Sequence, residues 1–86
     1  MRFVDEPTEV EVWIDARGVP VPRVFTWQGQ RLAITDLGRR WEEEGDDGPV
    51  RHFLVMVAGG DRFELVQRAG TGRWRVVRVW KRSPLI

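Results

Sequence analysis

Eighty-six residues with fourteen basic and thirteen acidic side chains, no cysteine and a net charge of +1 define one small domain that no disulfide staples. No apolar run is long enough for a transmembrane helix and charges recur from Arg2 onward, so neither a membrane span nor a signal peptide is expected and the cytoplasm is the expected compartment. The near-neutral total hides a division, with eleven acids and six bases in residues 1–48 against two acids and eight bases in 49–86. Such a split marks either a nucleic-acid face or acidic and basic strands lying side by side.

A chain of this size hides about 60–65% of its extended surface on folding, so its margin of stability is narrow. Five tryptophans and four phenylalanines are the available packing material, each large ring burying on the order of 150–250 Å². Thirteen of the fourteen cations are arginine, the cation that stacks on rings and makes bidentate contacts.

Period-two spacing predicts strands almost throughout. From Thr8 to Asp15, Val10, Val12 and Ile14 alternate with Glu9, Glu11 and Asp15, Trp13 being the exception on the charged side. Ala16-Arg17-Gly18-Val19-Pro20 carries turn chemistry. The next strand, Arg23 to Gln28, places Phe25 and Trp27 on one face, and Gln28-Gly29-Gln30 reads as a tight hairpin into Arg31–Thr35.

Ile34, Leu37 and Trp41 fall at helical spacing with Asp36 available as an N-cap. Against a helix, Gly38 falls in the first turn and Glu42, Glu43 and Glu44 crowd the negative end of the dipole. A bent or bulged strand is the expectation, with at most one short helical turn. Residues 42–49, acidic and glycine-containing, read as the longest loop and a mobile one.

Val50 to Ala58 reads as a central strand, with Phe53, Val55 and Val57 on one face and His52, Leu54 and Met56 on the other. Gly59-Gly60 and Gly70-Thr71-Gly72 turn the chain through Arg62–Arg68 into the last strand, a meander from Val50 to Arg82. Residues 83–86 form a tail. The whole is expected to be a single all-β antiparallel meander spanning residues 1–86, curled into a partly open barrel because exposed strand edges invite aggregation.

The last strand holds the candidate site. Half of the ten positions from Arg73 to Arg82 are cationic, and two carry indoles. Strict alternation puts Trp74, Val76, Arg78 and Trp80 on one face and Arg75, Val77, Val79 and Lys81 on the other. Cations beside flat rings are what single-strand nucleic-acid binders use, charge for the phosphates and rings for the bases. The candidate contacts are Arg73, Trp74, Arg75, Arg78, Trp80, Lys81 and Arg82; the competing reading is rings in the core and charge on the surface. Val10-Glu11-Val12-Trp13 and Val77-Arg78-Val79-Trp80 share the pattern Val-x-Val-Trp with opposite charge at x. That pattern predicts that the acidic strand pairs with the basic one, Glu11 near Arg78.

Other chemistry is not supported. Nucleophilic catalysis needs a nucleophile with a base in reach, and one serine in the tail with one histidine, His52, in a strand does not supply it. Glu42-Glu43-Glu44-Gly45-Asp46-Asp47 lacks the alternating register of a calcium loop. The glycine pairs precede strands rather than a helix N-terminus, so they are hairpins and not phosphate cradles. Neither a cofactor nor a metal is expected, and the chain reads as a non-enzyme.

Taken together, Phe25-Thr26-Trp27-Gln28-Gly29, Ile34-Leu37-Trp41, Phe53-x-Val55-x-Val57 and Arg73-Trp74 through Arg78-Val79-Trp80 resemble a small bacterial domain-of-unknown-function family. That family occurs free-standing and, in a similar pattern, at the C-terminal end of mutasome polymerase-like subunits related to Y-family DNA polymerases. The resemblance covers roughly residues 1–82. Leu32 stands where an aromatic is expected, and the last strand ends Trp80-Lys81 rather than aromatic-aspartate. It implies an association with DNA-repair machinery and assigns no catalytic residue. The function expected is therefore a binding or interaction module, its partner a nucleic acid or a repair protein. The alternative is a scaffold that forms a homodimer through its edge strands.

Overall fold

The computed structural model describes residues 1–82 and holds seven antiparallel strands and no helix among them. In chain order they are β1 (Arg2–Thr8), β2 (Val10–Ile14), β3 (Pro20–Trp27), β4 (Gln30–Gly45), β5 (Gly48–Val57), β6 (Arg62–Arg68) and β7 (Arg73–Trp80). They lie in the order β1-β7-β6-β5-β4-β3-β2, a strongly curled half-barrel. The expected all-β meander is what forms, and the expected tail, residues 83–86, lies outside the described residues.

Two devices curl the sheet. β4 is sixteen residues long, pairs with β3 through its first four residues and with β5 through the rest, and is bulged twice, between Ile34 and Asp36 and between Leu37 and Arg40. Extra residues bend a strand and raise its twist, so β4 turns the corner on which a helix was conceivable. β1 runs into β2 through Glu9 alone, yet β1 pairs with β7 and β2 with β3, the two ends of the sheet. Thr8 fastens that corner: its hydroxyl donates to the Thr26 carbonyl at 2.6 Å and accepts from the Thr26 N–H at 3.0 Å.

The turns follow their sequences. Gln28 and Gly29 both take positive φ, 49° and 78°, the geometry that two-residue hairpins need to match strand twist. At the acidic hairpin the expectation of a loop over 42–49 is corrected. Strand pairing continues from Glu42 opposite Arg51 to Gly45 opposite Gly48, leaving only Asp46 and Asp47 as the turn. Backbone pairing through this segment outweighs the like charge of three successive glutamates, whose side chains sit in solvent where the repulsion is screened.

The core lies inside the curl. Phe63 is its centre, edge-on to Phe25 at 4.9 Å and to Trp27 at 5.5 Å, while Phe53 and Trp74 meet at 5.4 Å. Such ring pairs contribute about 0.5–1.5 kcal/mol each beyond burial. β5 is the middle strand of the seven, and its inner row of Phe53, Val55 and Val57 is buried as its two apolar faces foretold.

On the outer face of β5 and β6, Glu64 is only 3% exposed. It accepts from Arg78 at 3.1 Å and meets His52 Nδ1 at 2.9 Å, and Trp41 stacks flat on the His52 ring at 4.8 Å. A carboxylate this enclosed persists because it is paired on both sides. His52 is thus half-buried, as its position in a strand implied.

Candidate nucleic-acid interface

The seven candidate contacts are dispersed by a bulge. β7 carries one residue more than β6 between Val76, opposite Leu65, and Arg78, opposite Glu64, so Val77 is the extra one. Strict alternation fails there. Trp74, Val76 and Val79 face the core; Arg75, Arg78 and Trp80 face out, and the expected grouping of Arg78 and Trp80 with Trp74 is corrected.

Each candidate then has its own surroundings. Trp74 is 7% exposed and packs on Phe53, so its ring is core material. Arg75 is held by Asp5 of β1, donating to its carboxylate and, at 2.7 Å, to its carbonyl. Arg78 is held by Glu64 and lies over the Phe3 ring at 4.9 Å. Trp80 is half-buried beside Leu54 and Met56 in a groove of about 360 Å³. Arg73, Lys81 and Arg82 are exposed, at opposite ends of β7. The ends stand roughly 25 Å apart at about 3.3 Å per strand residue.

The expected pairing of Glu11 with Arg78 does not occur. β1, not β2, lies beside β7, with Phe3 opposite Arg78; Glu11 instead pairs with Arg31 of β4 at 2.9 Å. The shared Val-x-Val-Trp pattern carries no information on which strands are neighbours, since the single-residue corner at Glu9 decides that. Of the two readings of the charge division, side-by-side strands hold for Asp5 with Arg75 and for Glu42 with Arg51, at 3.7 Å.

Where the curl stops short of closure, a cleft of about 1010 Å³ opens between β2 and the β6–β7 turn. One bank is Val10 and Val12 with Pro20; the other is Val66 to Arg68 and Thr71 to Arg75. Val10 and Val12 sit opposite the buried Phe25 and Pro22, so both point inward, and Ile14 follows in the same row. Yet Val12 is 36% and Ile14 63% exposed, because no strand covers them.

The basic bank holds a residue that sequence spacing did not single out. Arg68 and Arg73 are directly opposite each other across the β6–β7 hairpin. Both are exposed, and among the described residues neither makes an ion pair. Like charges directly opposite are destabilising. Of the carboxylates nearby, Asp5 is engaged by Arg75, Glu9 lies on the facing bank, and Glu44, Asp46 and Asp47 line a second depression together with Arg68 without reaching ion-pair distance of it. The signal was available in the sequence: a Gly70-Thr71-Gly72 turn flanked by Arg68 and Arg73 places two guanidiniums at one hairpin mouth.

Comparison with protein-family models, with curated proteins and with solved structures finds no match for this chain. Among the described residues no helix is long and apolar enough to cross a membrane, and no cluster of three metal-ligating side chains occurs.

Proposed function

We propose that the protein is a non-enzymatic binding module for a polyanion, single-stranded nucleic acid, held along the basic bank of the cleft. The observation that carries this reading is the Arg68–Arg73 pair: two unneutralised guanidiniums facing each other across one hairpin, which a bridging phosphate relieves. The association with DNA repair implied by the family resemblance is part of the same proposal. The cytoplasm remains the expected setting.

With Trp74 buried, the contact is to phosphates and not to bases, so binding is tolerant of sequence and sensitive to salt. Two phosphate contacts give a slope of log affinity against log salt of about −1.4, at about −0.7 per contact for a single strand. Titration of a labelled single-stranded oligonucleotide, read by fluorescence anisotropy over a salt series, measures it. Arg68→Gln and Arg73→Gln are each expected to weaken binding and to flatten the slope by about 0.7. Arg75→Gln, whose guanidinium is already engaged by Asp5, leaves the slope unchanged. No binding at low salt, or an unaltered slope in the Arg68→Gln/Arg73→Gln double variant, overturns the proposal.

A further inference from the structure

The other bank of the cleft poses a separate problem. β2 has a neighbour only on its β3 side, so its remaining edge offers unpaired backbone groups. Its inward row is uncovered at Val12 and Ile14, and its outward Trp13 is 63% exposed. An apolar, unpaired edge is what other β proteins blunt with lysine, proline or a covering element. None of these stands on β2: its one charge is Glu11.

We propose that this edge pairs with a second copy of itself, antiparallel, about a two-fold axis through Val12. Residues directly opposite in a sheet share a face, which limits the registers. Centring on Glu11 sets two carboxylates against each other and leaves Trp13 and Ile14 without a β2 partner, and centring on Trp13 leaves Val10 and Glu11 without one. Centring on Val12 sets Val12 against Val12, Val10 against Ile14 and Glu11 against Trp13. The inward residues then form one continuous apolar row of six. Trp13 already carries the Arg23 guanidinium over its ring at 3.9 Å, so each Glu11, bound to Arg31 of its own copy at 2.9 Å, also arrives beside the partner's Arg23. That is charge complementarity written twice by the symmetry.

Beyond β2 the same register sets Glu9 against Asp15. The Asp15 carboxylate is already occupied by the backbone N–H groups of Arg17 at 2.8 Å and Val19 at 2.9 Å. Five-residue strands bury little, so the dimer is a transient one, populated at high protein concentration. The inference rests on other residues than the polyanion reading: Arg68 and Arg73 lie on the opposite bank of the cleft, and β2 contributes no cation.

Val12 lies on the axis and meets its own copy, which makes a two-sided test available. Sedimentation equilibrium of the full chain without nucleic acid is expected to show a concentration-dependent rise from monomer to dimer mass. Val12→Lys and Val12→Glu, each a like-charge pair on the axis, are expected to stay monomeric alone. An equimolar mixture of the two is expected to recover the dimer, which excludes misfolding as the reason for the single losses. A wild-type monomer at every concentration overturns the proposal. So does dimer formation by Val12→Lys alone, and so does a mixture that remains monomeric.

Discussion

Val10-Glu11-Val12-Trp13 and Val77-Arg78-Val79-Trp80 are the same four-residue pattern with one charge reversed, and the fold treats them in opposite ways. Val79 is 2% exposed and Val12 36%; Trp80 is half-buried against Leu54 and Met56, Trp13 63% exposed beside Arg23. The difference is position in the sheet. β7 has β1 on one side and β6 on the other, with Phe63 directly opposite Val79, whereas β2 has β3 alone. Local pattern selects a strand; the number of neighbours decides what that strand buries.

The largest expected effect comes from the closed side. Phe63→Ala removes the ring that touches both Phe25 and Trp27 and costs about 3–5 kcal/mol. Set against the roughly 5–15 kcal/mol a folded domain holds, that is a large loss, so equilibrium urea denaturation is expected to show the unfolding midpoint moved to much lower urea. Setting the two patterns against each other directly, Val79→Ala costs about 2 kcal/mol, two buried methyl groups plus part of the cavity they leave. Val12→Ala, measured at a concentration where the chain is monomeric, costs about 1 kcal/mol, since about a third of that residue already meets water and no well-packed cavity is left behind. Equal losses at the two positions refute the contrast on which the open cleft rests.

The smallest effect lies where β2 turns into β3. The Val19 N–H holds the Asp15 carboxyl below its ordinary pKa of 3.8; desolvation, the next largest effect, opposes it, and the Arg17 N–H and the charges of Arg40 and Arg17 add to the lowering. A folded pKa below the unfolded one contributes stability that is present above pH about 3.8 and is lost as the pH falls through the folded value. Asp15→Asn keeps an acceptor oxygen for the turn but cannot titrate. It is therefore expected to lose this small increment at neutral pH and to converge on wild type as the pH falls below the folded pKa, as pH-dependent thermal melts of the two proteins test.

Much of the architecture was legible in the residues. The turns at Gln28-Gly29, Gly59-Gly60 and Gly70-Thr71-Gly72 fall at or beside their glycines, and Phe25, Trp27, Phe53, Val55 and Val57 occupy the inner face their alternation assigned. The bulged course of β4 followed from Gly38 and the glutamates arguing against a helix. What was not legible has one cause in each case. The bulge at Val77 is invisible to period-two counting, and it moved Arg78 and Trp80 to the other face. The acidic hairpin looked like a loop because composition reports solvation, while the pairing of Glu42–Gly45 with Gly48–Arg51 satisfies the backbone. Of the candidate site, Arg73 kept its exposure, Arg75 and Arg78 found carboxylates, and Arg68 came in from a neighbouring strand.

Alternation of apolar side chains and the placement of glycine determined by themselves that this chain is all β, where it turns, and which faces hold its rings, because those features depend on contacts within a few residues. Which strands became neighbours, which arginines met a carboxylate and which were left facing each other, and where the curl stopped were decided by tertiary structure alone. The reason is geometric: a one-residue corner at Glu9 sends β1 and β2 to opposite ends of the sheet. No local preference in the residues on either side contains that choice.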